Sequence, residues 1–371
     1  MPTIAIDARK YFDFGIGIYI QNLIASFPLF PTSHRFRLYV SAADKQKVAV
    51  PNGWELCETR YGKYSPGEFL FFGRQALKDG VDLFHAPHYT LPSGLRGHSV
   101  VSIHDLIHLR FPQYFTPAQR AYARFMVGQA ARYAGAVITS SENTKADLID
   151  LFHIEENRVK VVHLGIGQRF QPIEQELVQR FRREFDLSIP FLLSVGNVKP
   201  HKNLSTLLRA FSRVRSRYSD LQLVFVGGRC LQDRPLADLA RELGVTNAIR
   251  DLGRISEENV LAAYNAAEML VFPSLYEGFG YPVVEAMACG TPTVVSTGGS
   301  LREVAGDASL QCDPHNPDSF AEAIELILTD AERRASLVKL GIERAKRFSW
   351  QATTAQTLKV YDQVLEQCRA N

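Results

Sequence analysis

At 371 residues the chain is longer than one compact α/β unit needs, and 46% hydrophobic with 22% charged residues excludes a predominantly disordered chain. Lys and Arg number 42 against 39 Asp and Glu, a net charge of +3 that excludes a chain-wide nucleic-acid surface. Five cysteines, Cys57, Cys230, Cys289, Cys312 and Cys368, odd in number and without a C-x-x-C pair, argue for reduced thiols and against a disulfide framework.

In chain order, MPTIAIDARK passes from Met into an apolar strand without a basic leader, and no segment approaches the roughly 20 apolar residues of a membrane span, so a cytoplasmic protein is expected. Short apolar runs then alternate with amphipathic stretches: TIAID (3–7), RLYVS (37–41), DLFHA (82–86), SVVSIH (99–104), AVITS (136–140) and VKVVH (159–163). The rhythm breaks at LGIGQRFQP (164–172) and restarts with FLLSVG (191–196), LQLVFVGG (221–228), AIRDLG (248–253), MLVFP (269–273) and TPTVVS (291–296). Runs this apolar suit parallel strands covered on both faces, so two doubly wound sheets in series are expected. From about Trp350 to Cys368 an amphipathic helix follows, which either completes the second sheet's outer layer or crosses back to the first.

Ligands of open parallel sheets bind outside the carboxyl ends of strands, so the strand-to-helix junctions carry the chemistry. IDARKYFDFGIGIYIQNL (6–23) offers Gly15 and Gly17 ahead of a helix, but Ile20 fills the third position of G-x-G-x-x-G. The pair reads either as close backbone approach to a ligand or as a tight turn. FHAPHYTLP ends a strand with His85 and His88, one of them a core histidine. In VVSIHDLIHLRFP, His104 and His108 imitate H-E-x-x-H, yet that zinc pattern needs both on one helical face and His104 closes a strand. Its imidazole is expected to meet a sugar hydroxyl instead. TPAQRAYARFMVGQAARYAG (116–135) sets Arg120, Arg124 and Arg132 beside Tyr122, Phe125, Met126 and Tyr133. It reads as a helix with its apolar stripe in the first core, or as one resting on an anionic membrane near a lipid-linked acceptor.

LLSVGNVKPHKNLSTLLRAF (192–211) leaves a strand at Gly196 and enters a helix near Asn203 or Leu204. Lys202 stands at its mouth, where a mobile positive charge beside free amides suits a diphosphate; simple solvent exposure is the alternative. MLVFPSLYEGFGYPVVEAMACGTPTVVS (269–296) reads as strand, loop and a helix from near Pro282 to Gly290. Glu277 falls in the loop and Glu285 about one turn into the helix. Amides of Gly278, Phe279 and Gly280 at a helix head make an anion cradle, while carboxylates beside it accept hydrogen bonds from hydroxyls. Phosphate plus sugar points to a sugar nucleotide. For the two acids alone, a capping Glu277 and a solvated Glu285 are an equal reading.

Taken together with ITSSENTKADL, DLGRISEENVLAAYNAAEM and GGSLREVAGDASLQCDP, these segments give the chain a family likeness along nearly its whole length. It resembles the retaining glycosyltransferases of GT-B architecture, in particular the mannosyltransferase-like branch of the large family carrying the E-x7-E motif. The resemblance implies two Rossmann-like α/β domains facing across a cleft: an acceptor domain over 1–168, a nucleotide-sugar donor domain over 169–349, and a helix over 350–371 returning to the first. It implies that Glu277 holds the donor sugar's hydroxyls, Glu285 the ribose, Lys202 the diphosphate, and that His104 contacts the transferring sugar. Gly196, Asn197 and the amides of Gly278, Phe279 and Gly280 would complete the donor site, with Arg254 and Ile255 flanking the base. Gly15, Gly17 and His88 would approach the diphosphate or acceptor. Many members carry arginine where Asn197 stands, which shifts leaving-group stabilisation onto Lys202, backbone amides or Arg254.

The activity implied is hexose transfer with retained configuration by front-side attack, from GDP-mannose in first place or a UDP-hexose, to a glycan or lipid-linked acceptor of polysaccharide biosynthesis. No D-x-D triplet occurs, so no metal is expected, and the nucleotide sugar is a co-substrate, not a cofactor. The expected location is cytoplasmic, or peripheral at the membrane's inner face through 116–135. Two rivals remain. Asn197 keeps open a nucleotide-sugar-binding partner subunit without transferase activity. An NAD-dependent oxidoreductase is disfavoured by Ile20 and by the absence of a task for Glu277 and Glu285.

Overall fold

The structure, a computed structural model, describes residues 1–370. The chain forms two units, one of Met1–Gly165 with the segment from Ser349 onward, the other Ile166–Phe348.

The first unit is built on a parallel sheet of seven strands: β1 (Thr3–Asp7), β2 (Arg35–Val40), β3 (Glu55–Glu58), β4 (Leu83–Ala86), β5 (Ser99–Ile103), β6 (Ala136–Thr139) and β7 (Val159–Val161). Their order is β3-β2-β1-β4-β5-β6-β7, so the winding direction reverses between β1 and β4. Every residue of β4, β5 and β6 is buried, as both faces of a covered parallel sheet require. The helix Trp350–Ala370 belongs to this unit and packs on the helix Phe14–Ser26 and on β4, β5 and β6. It brings Trp350, Val360, Tyr361 and Val364 into the core. A buried polar chain ties it there: Tyr19 Oη meets Ser102 Oγ at 3.0 Å, Ser102 Oγ meets His85 Nε2 at 2.9 Å, and His85 Nδ1 meets Tyr361 Oη at 2.6 Å. His85 is therefore the core histidine of its pair.

The second unit carries a six-stranded parallel sheet, β8 (Phe191–Gly196), β9 (Gln222–Gly227), β10 (Ile249–Gly253), β11 (Met269–Phe272), β12 (Thr293–Ser296) and β13 (Leu310–Cys312). The order β10-β9-β8-β11-β12-β13 places its reversal between β8 and β11. Leu207, Leu208 and Phe211 from the helix Leu204–Arg215 and Phe320 and Ile324 from the helix Pro317–Thr329 pack with Leu192, Leu223 and Val271 into one core.

Two strands escape the sequence pattern, β3 and β13. Both are sheet edges of four and three residues, paired on one side, and their side chains are largely half-exposed, so neither needs a continuous apolar run. A second difference concerns Gly15 and Gly17, expected ahead of a helix. The helix already begins at Phe14, so both lie in its first turn. A Cβ on Gly17 would stand 2.5 Å from the Tyr11 carbonyl oxygen, whereas Gly15 faces open space. The close approach at Gly17 is to the chain's own backbone, while Gly15 keeps an open side.

The segment 116–135 forms the helix Pro117–Tyr133, opened by a capping box between Thr116 and Gln119. Ala123, Met126, Val127, Ala130 and Ala131 are buried, while Tyr122 and Phe125 stay exposed. Among the described residues no helix is long and apolar enough to cross a membrane.

Candidate functional site

The second sheet's reversal lies between β8 and β11, and the crevice at such a point receives the ligand in open α/β sheets. The chain leaves β8 at Gly196, passes Asn197, and makes a short 3₁₀ turn, Pro200–Lys202, before the helix Leu204–Arg215. Asn203 holds the corner in the left-handed region at φ 56°, its amide Nδ2 donating to the carbonyls of Pro273 at 3.1 Å and Pro314 at 2.7 Å. Leu275 N donates to the His201 carbonyl at 2.7 Å, which binds the loop after β11 to the loop after β8.

Across that seam Lys202 Nζ meets Glu277 Oε1 at 2.6 Å, both side chains about one-seventh exposed at 15% and 14%. Two of the expected donor-site residues are thus brought together, each the other's partner. The ammonium also lies 5.3 Å from the Phe272 ring centroid. Gly196, Asn197, Lys202, Gly228 and Phe272 line one small pocket at these strand ends. A larger hollow, about 720 Å³, lies among Gln179, Arg183, Asp186 and Arg334 at the opposite, amino-terminal edge of the sheet, where Ser188 and Glu268 precede β8 and β11.

Glu277 opens a loop that ends at Gly280, which sits at φ 97° ahead of the helix Tyr281–Ala288. Phe279 is buried against Tyr281 and Phe348, so its side chain anchors the loop and leaves only its backbone to a ligand. The turn 298–300 braces the loop from behind: Ser300 N donates to the Glu277 carbonyl at 3.1 Å and Ser300 Oγ to the Phe279 carbonyl at 3.0 Å. A Cβ on Gly299 would stand 2.7 Å from the Glu277 backbone, so the brace depends on that glycine. The turn opens the segment GGSLREVAGDASLQCDP, which carries the family likeness but to which the sequence assigns no site residue.

Glu285 stands one turn inside the helix and accepts a hydrogen bond of 2.8 Å from Tyr264 Oη, a fully buried side chain of the helix Glu257–Ala266. Burial pushes the Glu285 carboxyl up to about 7, opposed by the Tyr264 hydroxyl. The Tyr264 hydroxyl holds the carboxyl in place, and its remaining lone pairs can accept hydroxyl hydrogens. Arg254 is exposed and Ile255 half-buried in the loop between β10 and that helix, and the exposed Arg229 lies along Gly253, a second cation on the same edge.

In the first unit His104 follows β5, its ring 4.7 Å edge-on to Tyr19, and neither ring nitrogen has a hydrogen bond of normal geometry. Burial holds its pKa down to about 4 against a pull from the Pro87 carbonyl, so the imidazole is neutral at physiological pH. His88 follows β4, its ring centroid 3.9 Å from that of Tyr89 and tilted to it by 38°. Among the described residues no cluster of three His, Cys, Asp or Glu side chains could hold a metal ion.

Both halves of the chain match known families. Residues 176–344 match the model described as "Glycosyl transferases group 1", and residues 16–167 the model described as "Glycosyltransferase Family 4". The chain is 32% identical over 292 residues to an O-antigen chain mannosyltransferase B of Escherichia coli, covering 77% of this chain and 76% of that one. It is also 32% identical over 257 residues to a D-inositol 3-phosphate glycosyltransferase of Salinispora tropica, covering 65% of this chain and 53% of that one. Among solved structures a sucrose-phosphate synthase from Thermosynechococcus elongatus matches with a TM-score of 0.78 at 23% identity, covering 99% of this chain and 100% of the other. That likeness is one of fold, the GT-B architecture of two parallel-sheet α/β domains.

Proposed function

The chain belongs to the group 1 glycosyltransferases, and on that premise we propose that it transfers a hexose, mannose in first place, from a nucleoside-diphosphate sugar to a glycan or lipid-linked acceptor with retained configuration. The observation that carries this reading is the Lys202–Glu277 pair at the second sheet's reversal, beside the head of the helix Tyr281–Ala288.

In this reading the nucleoside diphosphate lies over Gly196 and the amides of 278–280, where the ammonium of Lys202 and the positive end of the helix dipole meet the charge that develops on the departing phosphate. Lys202 is already oriented by Glu277, so little reorganisation is needed when the bond breaks. Glu277 uses its remaining lone pairs on the donor sugar's hydroxyls, and Glu285 does the same for the ribose. A mannosyl donor, GDP-mannose ahead of a UDP-hexose, is the assignment that the likeness to a mannosyltransferase favours. The acceptor's proton passes to a donor phosphate oxygen, so no protein nucleophile is required and no metal ion is assigned.

Thermal-shift titration with GDP-, UDP- and ADP-sugars tests the donor, since a ligand that binds only the folded state raises its melting temperature. GDP-mannose should give the largest shift. Glu277→Ala and Lys202→Ala should each lower turnover by roughly 10²-fold or more, the range found when a single stabilising donor is removed. Near-wild-type rates in both variants would sink the assignment.

A further inference from the structure

The first sheet has its own reversal, between β1 and β4, and the residues that follow these two strands include Lys10 and His88. Arg9, beside Lys10, is fully engaged: its guanidinium donates to Asp7 at 2.8 and 2.6 Å, to Glu68 at 2.6 Å and to the Tyr61 carbonyl at 2.9 Å. Lys10 is not. Only 2% of it is exposed, and its Nζ has no hydrogen-bond partner among the described residues, though its three donors are unused. What covers it is the Tyr64 ring, 3.5 Å from the ammonium to the ring centroid. That ring is itself 48% exposed, on a residue at φ 59°, and lies 5.9 Å from His88 and 6.2 Å from Tyr122. His88 Nδ1 likewise lacks a hydrogen-bond partner among the described residues.

A buried ammonium that meets only a ring face and nearby acids leaves its hydrogen-bonding capacity unspent. The charges around it decide what that is. Asp7 and Glu68 offset Arg9 and Lys10, and Asp13 offsets Lys63 at 2.6 Å, so an entering anion would find no net positive charge. The unused hydrogens instead match the oxygens of neutral hydroxyls. We propose that Lys10 and His88 form a subsite for a neutral sugar of the acceptor, and that Tyr64 is a displaceable cap over the ammonium. Tyr122 forms the neighbouring wall. This deepens the acceptor side of the transfer reading above, on which it rests.

Saturation-transfer NMR with methyl α-D-mannopyranoside tests this, using the Glu277→Ala protein so that sugar contact at the second sheet is removed. Adding Lys10→Met should weaken the sugar signal about tenfold or more, as expected for loss of a charge-assisted hydrogen bond. The melting temperature of Lys10→Met should hold, because the ammonium spends no hydrogen bond in the fold and methionine can keep the contact with the Tyr64 ring; a structural role would lower it. Tyr64→Ala should tighten sugar binding several-fold, and weaker binding would overturn the cap. A sugar signal indifferent to Lys10→Met, or phosphorus NMR showing inorganic phosphate binding that disappears with Lys10→Met, would overturn the subsite. GDP binding should be unchanged in Lys10→Met. Absence of any GDP or UDP shift in the wild-type protein would count against the donor reading alone.

Discussion

Glu277 and Glu285 are eight positions apart on one loop-helix segment, yet their surroundings give them different electrostatics. Glu277 faces an ammonium at 2.6 Å. Glu285 faces a neutral hydroxyl in a buried setting that lifts it to about 7. With the folded value above the usual 4.5, the folded state keeps a proton that the unfolded chain has already released between those two values. Its contribution to stability is therefore full below the unfolded value and falls as pH rises toward the folded one. Glu285→Gln removes the charge and keeps an acceptor for Tyr264. Its melting temperature should lie close to wild type at about pH 5 and exceed it at about pH 8, the gap opening as Glu285 ionises. A gap that does not change with pH would show that Glu285 is not the group that titrates. Nucleotide affinity of the same variant should fall, the usual exchange of stability for function at a built site.

The segments that hold these acids explain what could be read in advance and what could not. β4, β5, β11 and β12 are buried on both faces, so their apolar runs stood out, and the two doubly wound sheets followed. β3 and β13, as edges, left no such run. The acids and Lys202 were visible as polar residues at strand ends, but the partnership of Lys202 with Glu277 spans 75 positions and depends on β8 and β11 being neighbours, which no local pattern encodes. Tyr264, Tyr64 and the ammonium of Lys10 were hidden for the same reason: each acts through a contact with a distant segment. Gly280 shows how narrowly the loop is specified. Its φ of 97° is unfavourable for other residues, and a Cβ would stand 2.6 Å from Leu301 Cδ2. Gly280→Ala should cost about 1–3 kcal/mol in denaturant unfolding and weaken nucleotide binding, because the head of the helix Tyr281–Ala288 must shift. Unchanged affinity would place the nucleotide away from that helix.

At the scale of the whole molecule, apolar exposure is unevenly distributed. In the first unit Leu70 and Phe71 are each 46% exposed and Phe125 51%, and Phe69 and Phe125 meet edge-on at 5.5 Å, joining the segment Glu68–Phe72 to the helix Pro117–Tyr133. Exposed Arg60, Arg74 and Arg124 accompany them, while Glu68, the one acid within the first segment, turns inward to Arg9. The apolar stripe of the helix serves the core, as one reading of 116–135 expects, and Tyr122 and Phe125 face outward, which leaves the membrane reading to experiment. Aromatic side chains flanked by cations are suited to the boundary layer of an anionic bilayer, where a basic residue contributes about 1 kcal/mol. The protein should co-sediment with vesicles containing anionic lipid and far less with zwitterionic ones, and added salt should release it. Arg74→Glu with Arg124→Glu should lower the bound fraction at least about tenfold at fixed lipid, by the same per-residue energy. Phe71→Ser with Phe125→Ser should lower it on both vesicle types, since apolar insertion does not depend on lipid charge. Sedimentation unaffected by either pair would leave this face without a membrane role.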